Sequence, residues 1–172
     1  MRISAKADYA VRAAVELAAA QLDDSGAAQS GEAGGRAGGA PDDRPVKAER
    51  IATAQQIPLN FLENILGELR HAGIVRSQRG ADGGFRLARP ASQITVADVM
   101  RAVEGPLASV RGGPPEETSY GGAATALPRV WIAVRANLRA VVERVTLADI
   151  AAGRLPPRVD KLAEDPEAWV TR

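Results

Sequence analysis

Apolar residues recur at helical spacing in six stretches of the chain and at strand spacing in one. The first, about Ser4 to Leu22, carries Val11, Val15, Ala18 and Leu22 on one stripe behind a Ser4 cap. A short second helix, within Val46 to Gln56, is built around Ala48, Ile51 and Ala52. The third, Leu59 to Ala72, sets Leu62, Ile65, Leu66 and Leu69 at i, i+3, i+4 and i+7, with Pro58 in its first turn and Gly73 as its stop. Its other face is polar: Asn60, Glu63, Asn64, Gly67, Arg70 and His71. Val75 and Ser77 then face Phe85 and Leu87 across a tip holding Gly80, Gly83 and Gly84, whose tolerance of positive φ predicts a β-hairpin. Thr95 and Asp98 open a helix that closes at Gly105-Pro106, and Thr146 and Asp149 repeat that capping chemistry before Gly153. Between them Pro128 to Val145 predicts a long helix with Val130, Val134, Leu138, Val141 and Val145 on one stripe, joined by Trp131, Ile132 and Val142.

Two short helices, a tight turn and a glycine-tipped hairpin make a winged helix-turn-helix, so the fold expected is mainly α with a small β-hairpin wing and a long C-terminal dimerisation helix. Residues 1–92 form the DNA-binding domain, interrupted by a segment at 23–45 dense in Gly, Ala and Asp, with Pro41 and Pro45, expected to be a flexible insertion. Residues 93–153 carry the dimerisation and regulatory helices around a loop at 107–127, and 154–172 read as a mostly unstructured tail. The stripe on the long helix is wider than one small domain needs, which points to a second copy of the chain as its cover.

Net charge is only +1 at a pI near 8.2, so affinity for a polyanion must come from where the charge sits. Arg76, Arg79, Arg86 and Arg89 cluster on or near the hairpin with few acids to cancel them, and Arg2 and Lys6 lie in the first helix region. Asn60 and Asn64 are the candidates for base edges, since an amide pairs bidentately with adenine. Arg70 or His71 suits phosphate, and the wing arginines, on the ribbon tipped by Gly80, Gly83 and Gly84, suit the flanking minor groove or its phosphates. Double-stranded DNA is the partner this pattern implies; a winged helix that docks proteins without binding DNA is the alternative.

The motifs Met1-Arg2-Ile3-Ser4, Tyr9-Ala10-Val11-Arg12-Ala13, Ile57-Pro58, Phe61-Leu62, Ile65-Leu66, Ala72-Gly73, Arg79-Gly80, Gly83-Gly84 and Leu87-Ala88-Arg89-Pro90 follow one another in an order that resembles the Rrf2 family of bacterial transcription regulators. The likeness continues through Ile94-Thr95, Val103-Glu104-Gly105-Pro106 and Thr146-Leu147-Ala148-Asp149, covering roughly residues 1 to 152. It implies a homodimeric repressor or activator on a near-palindromic operator. Cluster-binding members of that family carry three cysteines after the Glu-Gly-Pro motif, and this sequence has none. No iron-sulfur cluster or other cofactor is therefore expected, nor any thiol switch.

One histidine, His71, makes no metal site by itself, and Glu116 and Glu117 are the loop's only carboxylates. Tyr120 and Trp131 are the aromatic side chains offered for a pocket that would take a small effector or a partner protein. With no cysteine, no phosphate loop and no paired zinc ligands, enzymatic chemistry is not expected. No run approaches the roughly 18 apolar residues of a membrane span, and the N-terminal region lacks the apolar core of a secretion signal, so a cytoplasmic protein is expected.

Overall fold

The computed structural model describes residues 3–29 and 44–170. Within them run α1 (Ala5–Gln29), α2 (Ala48–Gln55), α3 (Leu59–His71), β1 (Val75–Gln78), β2 (Gly84–Leu87), α4 (Val96–Glu104), α5 (Leu127–Val142), α6 (Leu147–Ala151) and α7 (Pro157–Ala163).

The centre of the molecule is an alanine face. Ala10, Ala13, Ala14 and Ala18 of α1 are fully buried with Leu17, and their small side chains let α3, α4 and α6 approach the α1 backbone closely. Into the same core come Ile51 of α2, the α3 stripe, Val75 and Leu87 of the hairpin, Val99 of α4 and Leu147 of α6. The boundary drawn at 92/93 thus falls inside one continuous core. Ser4 caps α1 by accepting from the Ala7 N–H at 3.0 Å. Beyond Leu22 the apolar stripe stops but the helix runs to Gln29, because no proline intervenes and propagation adds a hydrogen bond for each residue ordered. Residues 23–29 of the expected flexible insertion are therefore helical, and its positions 30–43 lie outside the described residues.

α4 and α6 start back to back. Thr95 and Thr146 each accept from the N3 backbone N–H while Asp98 and Asp149 return the bond to the cap N–H, forming two capping boxes. The two caps pair as an antiparallel bridge, with Val96 N–H donating to Val145 O and Leu147 N–H to Ile94 O, both at 2.9 Å. This joint corrects the reading of Val145. A capping box needs extended backbone at Thr146 (φ −90°, ψ 162°), so α5 ends at Val142 and Val145 is buried in its own protomer instead of extending the α5 stripe.

The tail is corrected as well. Prolines at its start suit the first turn of a helix, and Pro157–Ala163 forms α7, followed by a 3-10 turn at Pro166–Trp169 whose indole N–H donates to Ala163 O at 2.6 Å. Leu162, Trp169 and Val170 remain exposed there.

Candidate nucleic-acid interface

α3 is held from three sides. Its buried stripe is the one expected, Leu62, Ile65, Leu66 and Leu69. The turn that delivers it depends on Gln56 in the left-handed region (φ 52°), with Ile57 N–H donating to Ala52 O at 3.0 Å. Beneath that turn Gln55 donates to Glu16 at 2.8 Å and accepts from Arg12 at 3.4 Å, pinning α2 on α1. At the far end Gly73 (φ +71°) donates to Arg70 O and Ile74 to Leu69 O, a Schellman stop whose apolar member, Ile74, returns to the core. The helix is thereby fixed in rotation, and Asn60, Glu63, Asn64, Arg70 and His71 are left exposed on its outer side.

The hairpin pairs Val75 with Leu87, Arg76 with Arg86, Ser77 with Phe85 and Gln78 with Gly84. Alternation puts Val75 and Leu87 inward and sets Arg76 and Arg86 across from each other on the opposite face. A third segment completes the wing: Val46 N–H donates to Phe85 O and Phe85 N–H to Val46 O, both at 2.8 Å. This explains two of the glycines placed among the DNA contacts by sequence. A Cβ on Gly84 would stand 2.5 Å from Val46 O, and one on Gly83 2.4 Å from Gln78 O, so both positions are demanded by the wing's own packing. Gly80 (φ +108°) has open space around it and shapes the tip.

Arg76 and Arg79 are exposed, and Arg86 is half-buried. Arg70 leans from α3 toward β1, its Nη1 3.4 Å from Ser77 Oγ, which brings helix and wing onto one surface. Arg89 is turned back, donating to Gln93 O at 3.1 Å and facing Asp98 at 3.8 Å. Lys6, expected beside DNA, stays exposed while its ammonium donates to Val103 O at 2.8 Å and pairs with Glu68 at 2.7 Å, tying α1 to α3 and α4. Arg2 lies outside the described residues. Asn64 Nδ2 donates to Asn60 O at 3.0 Å along the helix, so its amide must rotate to read a base. An open groove of about 560 Å³ runs beside this face, lined by Asn64, Gly67, Glu68, His71, Ala72 and Ala102. Sequence reading missed Phe61, which stands 64% exposed on α3; its place outside the i, i+3, i+4, i+7 stripe was the available signal.

α5 buries no residue completely. Leu138 and Val142 pack on a small cluster of Ala7, Ala97, Met100 and Leu107, Val134 and Val141 are half-buried, and Val130 and Ile132 stand 50% and 38% exposed. Arg135 pairs with Glu116 of the preceding loop at 2.6 Å, and Arg101 of α4 and Arg139 both reach Glu143. A hydrogen bond from its own backbone N–H, then the Arg135 guanidinium, hold Glu116 below the usual carboxylate range; Arg101, with Arg139 adding, does so for Glu143. Arg111 stacks 5.5 Å from the Tyr120 ring centre, whereas the Trp131 indole N–H is buried without an acceptor among the described residues. Neither aromatic lines the groove beside α3.

Residues 38–153 match the family model Rrf2, described as an iron-dependent transcriptional regulator. A putative HTH-type transcriptional regulator of Mycobacterium tuberculosis is 47% identical over 165 residues, covering 96% of this chain and 90% of that protein. Among solved structures, CymR, the global cysteine regulator of B. subtilis, superposes with a TM-score of 0.66 at 27% identity over 89% of this chain and 98% of its own. IscR of T. potens does so at 0.62 and 27%, over 100% and 93%. The iron in the family description finds no thiolate here: the loop before α5 offers Glu116, Glu117 and Tyr120 as donors, and Glu116 is already paired. These residues do not fit a cysteine-held iron-sulfur cluster. Among the described residues no helix is long and apolar enough to cross a membrane. The likeness runs along nearly the whole length of these relatives, in sequence and in fold, and the chain belongs to the Rrf2 family of HTH transcriptional regulators.

Proposed function

We propose that two copies of this chain associate through α5 and act in the cytoplasm as a cluster-free repressor on a near-palindromic operator. The observation that carries the reading is the union of the outer α3 face with the arginines of the wing on one surface, joined by the Arg70–Ser77 contact. Symmetry then sets two α3 helices into successive major grooves roughly 34–36 Å apart. Asn60 and Asn64 would meet base edges, Arg70 and His71 phosphates, and Arg76, Arg79 and Arg86 the flanking backbone. The part-exposed Val130, at the open end of the α5 stripe, supports the dimer, since a second α5 laid along that stripe would remove it from water.

Two measurements test the proposal. Incubation with sheared genomic DNA at moderate salt, followed by recovery and sequencing, must enrich discrete near-palindromic sites; uniform recovery, or none, would leave a protein-docking module. Sedimentation must show a dimer at micromolar concentration, and a lone protomer there would remove the symmetric arrangement. A third follows from the wing: Arg79→Ala neutralises about one phosphate fewer, so the slope of log affinity against log salt should become shallower by about 0.9. An unchanged slope would take Arg79 out of the interface.

A further inference from the structure

Phe61 is left in water at the part of α3 where an apolar side chain is least expected. Among the residues of α3 it is the large hydrophobic one that remains exposed, at 64%, and it takes no part in either core cluster. Asn60 precedes it and Asn64 follows close to one turn on, so the ring sits among the amides of the reading face. It also lies in the first turn of α3, the end of a recognition helix that reaches base edges. The wing's aromatic residue, Phe85, cannot play the same part, because it packs against the core beneath the Val46 bridge.

A major groove offers an apolar side chain one feature that distinguishes bases, the C5-methyl of thymine; the other groups that tell the pairs apart are hydrogen-bond donors and acceptors. The Asn60 and Asn64 amides supply donors and acceptors, and the arginines of the wing supply charge complementary to phosphate. The apolar partner in this combination is a thymine methyl. We infer that Phe61 is a specificity-determining residue that packs against the methyl of a thymine in each half-site, so that the preferred operator holds a T·A pair beside the bases contacted by Asn60 and Asn64. The inference rests on the DNA-binding reading above and adds the base class that Phe61 selects.

The test uses the full chain and duplexes it selects from a random-sequence library by mobility shift. In the preferred duplex each thymine is replaced singly by deoxyuridine, which keeps the pairing edge and removes only the methyl. For the parent, one or two positions in each half-site should weaken binding by about fourfold, the value of one buried methyl. For Phe61→Ala those same replacements should have no effect, and the variant should accept C·G there, while Phe61→Leu, which keeps an apolar end, should retain part of the discrimination. Deoxyuridine scans with the same pattern in parent and Phe61→Ala, or a parent indifferent to every methyl, would overturn the inference and leave DNA binding standing. Failure to select any preferred duplex would overturn both.

Discussion

Gly84→Ala places one methyl where the wing meets the segment that leads into α2. The added Cβ would lie 2.5 Å from Val46 O and 2.7 Å from Val46 C, both backbone atoms with no side-chain freedom to yield. Val46 must therefore withdraw until that separation reaches the 3.4 Å of ordinary contact. The two 2.8 Å hydrogen bonds between Val46 and Phe85 cannot survive such a shift. Each contributes about 0.5–1.5 kcal/mol, and holding a residue with a Cβ at φ +156° costs about 1–3 kcal/mol more. The expected loss is thus roughly 2–6 kcal/mol, which for a chain of this size lowers the melting temperature by roughly 4–24 °C. Calorimetry reads the loss, and amide exchange at Val46 and Phe85 locates it. A variant that melts with the parent and keeps both amides protected would refute the account of the wing as a three-segment unit. Gly80→Ala is the control: its Cβ meets nothing within 4 Å, so only the backbone cost at φ +108° applies.

Gly67 inverts that logic, since it sits inside α3 with open space where a methyl would stand and costs the helix about 0.5–1 kcal/mol relative to alanine. Gly67→Ala should raise the melting temperature by about 1–4 °C yet weaken duplex binding; equal or tighter binding would mean that the α3 backbone does not approach DNA closely. Val130→Asp should shift sedimentation toward the protomer without altering far-UV dichroism, and a persisting dimer would place the contact elsewhere. Because the folded-state pKa of Glu116 is lowered, its pairing with Arg135 supports the fold above the ordinary glutamate range and is lost as pH falls through the lowered value. Carboxyl NMR titration should show the lowered midpoint, partly restored upward in Arg135→Gln; an unchanged midpoint in that variant would remove Arg135 as a cause.

Wherever local chemistry decides the structure, it is legible in the sequence. The α3 stripe and its glycine stop, the pairing of Val75 and Ser77 with Phe85 and Leu87, and both capping boxes follow from periodicity and cap residues that act within a few positions. What stays hidden depends on packing between distant segments. Val46 joins the wing across a long stretch of chain, so the packing demand on Gly84 does not show in the sequence. Lys6 looks available to phosphate because its partners, Glu68 and Val103, are remote in the chain. Val145 continues a helical period that the Thr146 cap interrupts. The exposure of Phe61 escapes the pattern because periodicity marks the buried stripe and is silent on an aromatic beside it.

With no thiolate to act as a switch, communication between α5 and the reading surface must run through packing and ion pairs. α1 is the shared element: its Ala7 faces Met100, Leu107 and the Leu138 end of α5, while its next turns carry the core that positions α3. Lys6 bridges the same two regions, touching Val103 of α4 and Glu68 of α3. The link from α4 to α5 is the Arg101–Glu143–Arg139 cluster, and the paired caps at Thr95 and Thr146 fix where α4 and α6 begin. These contacts run from α5 to α3 by way of α1 and α4, so a tilt of α5 would be passed on through helix packing. On the proposed dimer, half-site spacing is the quantity such a tilt would alter, while the outer side chains of α3 would keep their setting on that helix.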